Sequence, residues 1–341
     1  MKYNKAKYYI IPAIICLLGV MASGYYFFLS DFSSHPEVNY VYIDQDDDID
    51  SVCAKLDTLA TPHGMAGFSI LARHMNYADH PVVGRYAIDP GMSTASVLRR
   101  LKNGQQAPLH LVVPESRTMS RLAAQLSAKL MLDSAEIAEA LYDSAFCAAQ
   151  GYDTATIACL FVPNTYDVYW NTSLDRFIER MQKEHDRFWE GKRREQAARL
   201  GLSENEVCTL ASIIDEETAN QQEKPMVAGM YLNRLHQHMP LQADPTIKFA
   251  MKRFELRRIY HGMLDIDSPW NTYKNPGLPP GPIKIASVQG IDAVLNRVEH
   301  DYLYMCANED FSGTHRFAVT YKEHQQNAAR YAKALNERGI K

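Results

Sequence analysis

Three consecutive acids, Asp215, Glu216 and Glu217, close a segment whose spacing gives each a different environment. Residues 203–235 read SENEVCTLASIIDEETANQQEKPMVAGMYLNRL. Ser203 with Glu206 three positions later is a capping-box pattern, so a helix starts there. An α-helix turns about 100° per residue. With Leu210 set at zero, Ile213 falls at about −60° and Ile214 at about 40°, which defines an apolar face. Asp215, at about 140°, and Glu216, at about 240°, lie off that face and read as surface charges. Glu217, at about −20°, lies at its centre. A carboxyl on a buried face is costly to ionise, so it can keep a proton near neutrality and deliver it as a general acid. Periodicity leaves two other readings open: a solvent position past the packed turn, or an ion pair with Arg234.

Two loop segments add polar and aromatic groups. Residues 241–246 (LQADPT) place Gln242 and Asp244 in a turn, with Pro245 at the start of the next helix. Trp270, Asn271, Thr272 and Tyr273 precede GLPPGP at 277–282, which must be a rigid, polyproline-like loop. Amides, hydroxyls and aromatic faces suit sugar rings, which offer hydroxyls at the edge and C–H groups on the face. An ordinary turn-rich connection has the same composition. Metal and serine chemistry are disfavoured. His236 and His238 point to different helix faces and no HExxH or Cys/His cluster accompanies them. Neither GxSxG nor SxxK occurs. No cofactor or metal site is expected.

The elements that must carry these groups begin with an apolar run. Tyr8–Leu29 is 22 residues without a charge, enough to cover the ~30 Å hydrocarbon core. Lys2, Lys5 and Lys7 precede it, and Asp31 and Glu37 follow. The positive-inside rule then makes 1–7 a cytoplasmic tail, 8–29 a transmembrane helix and the remainder an exported domain. Tyr8, Tyr9, Tyr25 and Tyr26 fit the two interfacial belts. Small residues at 22–24 resemble a signal-cleavage site, but the run continues to Leu29, longer than a signal core. The chain of 341 residues, 46% apolar and 22% charged, has a globular composition and suits two domains. A mean hydropathy of −0.31 excludes a polytopic membrane protein. With 36 basic against 40 acidic residues it has no basic field for nucleic acid. Cys53, Cys147, Cys159, Cys208 and Cys306 lie outside the span, an odd number without CxxC that reads as free thiols.

Residues 30–37 read as a short polar stalk. Residues 38–43, 67–70 and 81–88 read as strands and 49–59 as a helix. Ser93 caps a helix carrying Val97, Leu98 and Leu101 that stops at Asn103-Gly104. Together these predict a small α+β module of about 70 residues. Residues 109–114 form a further strand and 119–132 a helix. Residues 175–200 read as one strongly charged helix with Phe177, Met181 and Phe188 on its apolar side and a solvated basic end.

In this order, LASIIDEET (210–218), AGMYLNRL (228–235), LQADPT (241–246), WNTY (270–273) and GLPPGPI (277–283) resemble the YceG-like family of membrane-anchored endolytic murein transglycosylases. FVPNTY at 161–166 resembles the family's F-x-P-D-T-Y, with Asn164 in place of the acid. GRYAIDPGMSTASVLRRLKNG at 84–104 resembles the small LysM-like module before the catalytic region. The resemblance covers roughly residues 36–335. It implies an α+β protein with an N-terminal transmembrane helix, a LysM-like module at 36–105 and a larger α+β catalytic domain at 106–341. The family's catalytic glutamate, the second acid of its E-x-E-T motif, maps onto Glu217, while Asp215 replaces the first. The implied activity is lytic cleavage of the MurNAc–GlcNAc β-1,4 bond in nascent peptidoglycan strands, leaving 1,6-anhydroMurNAc ends and terminating strands during cell wall assembly. Gln242, Asp244, Asn271, Thr272, Tyr273 and Tyr166 become the candidate substrate contacts. The implied location is the cell inner membrane, single-pass, with the catalytic domain on the outer face. Peptidoglycan strands and peptidoglycan synthases are the candidate partners. The alternative is a non-catalytic, membrane-anchored peptidoglycan-binding scaffold.

Overall fold

A computed structural model of the chain describes residues 4–256 and 258–338, with side chains described from residue 8 onward. Lys2 and the side chains of Lys5 and Lys7, on which the orientation argument rests, lie outside the described residues. Helix α1 (Asn4–Gly24) runs into a π-helical turn, Tyr25–Leu29. The apolar stretch Tyr8–Leu29 is long enough to cross a membrane and carries no buried residue. Strand β1 (Asn39–Ile43), helices α2 (Ile49–Asp57) and α3 (Pro62–His74), strand β2 (Gly84–Ile88) and helix α4 (Thr94–Lys102) follow. Asp48, Thr61 and Ser93 cap the three helices by accepting a backbone N–H from the first turn. Strands β1 and β2 pair antiparallel, from Asn39 opposite Ile88 to Ile43 opposite Gly84. Val41, Ile43, Val52, Leu56, Phe68, Tyr86 and Leu98 close one core between this ribbon and the helices.

Two expectations fail here. Residues 67–70 belong to α3, because Thr61 and Pro62 start a helix upstream and Phe68 and Ala72 bury one face of it. A short apolar run does not by itself separate strand from helix. Residues 30–37 are not a free stalk. Phe32 is fully buried, its N–H donates to the Met92 carbonyl at 2.7 Å, and its carbonyl accepts from Thr61 N–H at 2.7 Å. The end of the apolar helix also packs directly on α3. A Cβ at Gly67 would stand 2.0 Å from the Phe27 carbonyl oxygen, so only glycine permits that approach.

Strand β3 (Leu109–Val113) leads to helices α5 (Met119–Ser127), α6 (Ser134–Tyr142) and α7 (Ser144–Ala149). Strand β4 (Asn164–Val168) pairs with β3. Helices α8 (Leu174–Trp189) and α9 (Lys192–Leu200) replace the single charged helix expected, because Gly191, at φ 70°, breaks it. The face of α8 with Phe177, Met181 and Trp189 is buried. Then come α10 (Glu204–Glu217), α11 (Lys224–His236), α12 (Asp244–Ala250), α13 (Val288–Leu295), strands β5 (Tyr304–Ala307) and β6 (His315–Ala318), and α14 (Tyr321–Glu337). Strands β5 and β6 form an antiparallel hairpin, with Ala307 opposite His315. The chain divides into two compact units: the chain up to Leu111 with Lys129–Met131 and Asp167–Ser173, and the remainder. All six cysteines are unbridged, and Cys147, Cys159 and Cys208 are buried.

The second unit is built around α10. Every residue from Val207 to Ile214 is buried, and α9, α11, α12 and α13 all pack on this helix. A helix covered on all sides fixes the groups at its end to within the tolerance of a packed core.

Candidate active site

Helix α10 starts at the capping box seen in the sequence: Ser203 accepts from Glu206 N–H, and the Glu206 carboxylate accepts from Ser203 N–H at 2.8 Å. It ends at Glu217, with Thr218 in extended conformation. The three acids therefore occupy the end of the helix where negative charge is least favourable, and each needs compensation. Asp215 is buried, against the surface position expected. Its carboxylate takes Lys224 Nζ at 2.5 Å, Ser287 N–H at 2.7 Å and the Ser287 hydroxyl at 2.7 Å. Glu216 is also no free surface charge. Arg117 donates to both of its oxygens, at 3.2 and 2.7 Å, and Lys284 lies 3.7 Å away. With helices on every side, residues off the apolar face of α10 still meet protein.

Glu217 is different. It is half-buried, has no ion-pair partner among the described residues, and takes one hydrogen bond, from the Tyr231 hydroxyl to Oε1 at 2.8 Å. Burial raises its pKa to about 7, the Tyr231 hydrogen bond opposes this, and the nearby Asp244 charge adds to it. Arg234 does not pair with it; that guanidinium is spent on the Leu303, Pro240 and Leu241 carbonyls, at 2.6, 3.2 and 2.9 Å. Burial and the Glu217 charge hold the Tyr231 hydroxyl well above its usual range, so it remains a donor. The carboxyl opens into a predominantly polar cavity of about 300 Å³. The end of α10, the Tyr231–Arg234 face of α11, the turn before α12, the β5–β6 hairpin and α14 enclose it. A second, mainly apolar cavity of about 370 Å³, floored by Phe249, Phe254 and Trp270, does not include Glu217. Among the described residues, the polar cavity holds the acid of the three that makes no ion pair, with Lys248 and His315 acting on it only through their charge.

Of the other candidates, Gln242, Asp244 and Tyr273 line the cavity with Glu217. The Tyr273 hydroxyl donates to Asp244 Oδ1 at 2.5 Å. Gln242 sits at φ 52°, a strained position for a side chain with a Cβ, and its N–H donates to the Thr272 carbonyl at 3.0 Å. Asn271 and Thr272 are fully buried and face inward. Asn271 Nδ2 donates to the Leu264 and Ile266 carbonyls at 2.8 Å each, while its Oδ1 accepts from Tyr273 N–H at 3.0 Å. Thr272 Oγ1 accepts from Ala243 N–H at 3.0 Å and pairs with the Thr246 hydroxyl at 2.9 Å. These two residues clamp the loops that present Gln242, Asp244 and Tyr273. Tyr166 is buried on β4, donates to the Val162 carbonyl at 2.6 Å and does not line the cavity. Gly281 fits because a Cβ there would stand 2.1 Å from the Ala155 carbonyl oxygen. Sequence reasoning missed Tyr231, His315 and His324 as cavity walls, and named Arg234 only as a possible ion-pair partner of Glu217. The i, i+3 spacing of Tyr231 and Arg234 places them on one helix face and was a usable signal. Nothing local marks the two histidines.

The model of the YceG-like family matches residues 41–330. The chain belongs to the YceG-like family. Similar proteins agree with this. The chain is 30% identical over 271 residues to a Bacillus subtilis protein named endolytic murein transglycosylase, covering 75% of this chain and 74% of that one. It is 29% identical over 300 residues to the Streptococcus pneumoniae protein of the same name, covering 79% of this chain and 54% of the relative. The chain thus spans about half the length of the pneumococcal protein. A crystal structure of a YceG-like protein from Listeria monocytogenes superimposes with a TM-score of 0.57 at 28% identity, over 86% of this chain and 99% of that one.

Proposed function

We propose that this YceG-like protein is a membrane-anchored endolytic lytic transglycosylase with Glu217 as its acid and base. The observation that carries the reading is the carboxyl of Glu217: without an ion-pair partner among the described residues, raised to about 7, and open to a polar cavity. In the cleavage step the protonated Glu217 donates to the glycosidic oxygen as the C1–O bond breaks and positive charge develops on the MurNAc ring. The carboxylate left behind then accepts the proton of the MurNAc C6 hydroxyl, whose oxygen bonds to C1 and closes the 1,6-anhydro ring. No water enters and Glu217 is regenerated. Ordinary glycosidases need a second carboxylate to activate water or attack carbon. An internal nucleophile removes that need, so Asp244, already bonded to Tyr273, is a substrate contact and an electrostatic influence on Glu217. Gln242 and Tyr273 are the other proposed contacts, with Asn271 and Thr272 holding their loops.

The proposed organisation is a cytoplasmic tail at 1–7, a span at 8–29, a LysM-like module at 36–105 and the catalytic domain at 106–341. The strand–helix–helix–strand order of β1, α2, α3 and β2 supports the module. The span would hold the catalytic domain at the outer face of the inner membrane, where new strands emerge and where peptidoglycan synthases would be neighbours. The relatives' names support peptidoglycan as substrate. The test is to incubate purified, uncrosslinked glycan strands with the full chain in detergent micelles and measure anhydro ends by mass spectrometry. Wild type should release them and Glu217→Gln should not. Equal release by both would remove Glu217 from the reaction, and release by neither would favour a binding scaffold.

A further inference from the structure

One wall of the Glu217 cavity carries an imidazole that the proton-transfer scheme leaves unused. His315 opens β6 and is held twice by the same carboxylate. Glu223 Oε1 accepts from His315 N–H at 2.6 Å, and Glu223 Oε2 lies 2.9 Å from His315 Nδ1. The second oxygen also accepts from the Thr218 hydroxyl at 3.0 Å. Glu223 is 8% exposed and has no Lys or Arg partner among the described residues. It therefore ties the residue that follows Glu217 to the hairpin that carries His315. A carboxylate accepts only, so the ring donates from Nδ1 to Glu223, and Nε2 is the nitrogen left for another partner, an acceptor on the neutral ring and a donor on the charged one. Nε2 has no partner among the described residues. His315 lines both the Glu217 cavity and a neighbouring cavity of about 550 Å³. A positive charge on this ring would favour ionised Glu217, which places the two groups within electrostatic reach.

We propose that His315 contacts substrate through Nε2, in a hydrogen bond with a glycan hydroxyl, which can donate to the ring or accept from it, and that Glu223 is the positioning residue that orients the ring. The proposal rests on the glycan-cleaving reading of the cavity. Losing one such bond, present in ground and transition states alike, acts on binding more than on turnover. His315→Ala should raise KM about tenfold while kcat changes less than about twofold, the size of one net hydrogen bond. Glu223→Gln should move KM in the same direction and add nothing further in the double variant, because it acts through His315. A purely structural Glu223 would instead lower the melting temperature and leave KM alone.

The deciding experiment uses the full chain carrying Glu217→Gln, ¹⁵N-labelled at histidine, in detergent micelles and titrated with purified uncrosslinked glycan strands. A shift of the His315 Nε2 resonance on binding is the expected result. Strands that bind while Nε2 stays unmoved overturn the role of His315 and leave the functional reading standing. Strands that do not bind at all overturn both.

Discussion

Replacing Glu217 with Gln keeps the side-chain shape and the oxygen that accepts from Tyr231, and removes only the ionisable proton. The consequence for stability is large and depends on pH. The carboxyl is raised from 4.5 to about 7 in the folded chain, chiefly by burial. At about 1.4 kcal/mol per tenfold change in proton affinity, the ionised folded state carries a penalty of about 3 kcal/mol. Contact with cavity solvent trims this to about 2–3 kcal/mol. The folded state binds this proton more tightly than the unfolded state. Its contribution is therefore fully present below pH 4.5 and is lost as pH rises to about 7. Gln carries no such penalty. The variant should match wild type near pH 4.5 and exceed it at pH 8 by about 2–3 kcal/mol, or about 4–10 °C in melting temperature. Urea unfolding of both proteins in the same micelles, followed by tryptophan fluorescence at several pH values, measures this. The same variant should lose between about a hundredfold and ten-thousandfold in kcat. A variant that is less stable than wild type at pH 8, or equal to it, would refute the desolvated carboxyl without an ion-pair partner. Gain of stability with loss of activity is the signature of a site whose function strains the fold.

Further consequences concern the neighbours. If Glu217 is the proton donor, kcat/KM should fall as pH rises through about 7. Tyr231→Phe should move that limb upward, because the lost hydroxyl favoured the ionised carboxyl; a limb that stays or moves down contradicts the assignment. Lys224→Met leaves Asp215 buried without its cation and should cost about 3–5 kcal/mol in urea unfolding. Adding Asp215→Asn should recover most of that loss, and no recovery would mean the pair is not coupled. Gly67→Ala forces a Cβ against the Phe27 carbonyl and should cost about 1–3 kcal/mol locally. Faster amide exchange across α3 in nanodiscs is the readout, and unchanged protection would mean that the apolar helix does not dock there.

Much of α10 was legible because its signals are local. The capping box set the start of α10, and the 3.6-residue period put Glu217 on the packed face. The fates of Asp215 and Glu216 were not legible, since Ser287 lies 72 residues from the first and Arg117 lies 99 residues from the second. The period separates faces of a helix but does not say how many are covered. Loop polarity misled in another way. Asn271 and Thr272 looked ready for sugar, yet short polar side chains often satisfy nearby backbone, and both are consumed that way. The polar run at 30–37 hid one buried aromatic, Phe32, which turns a linker into part of a core. His315 reaches the cavity through a hairpin about 100 residues from Glu217, a placement only tertiary structure supplies.

The central claim is that Glu217 serves an internal nucleophile and not water. Cleavage of purified glycan strands in H₂¹⁸O, with mass spectrometry of the new ends, addresses it directly. Anhydro ends free of ¹⁸O are the expected product. Reducing ends that carry ¹⁸O would show that water attacks C1 and would require a second carboxylate, with Asp244 the first to examine.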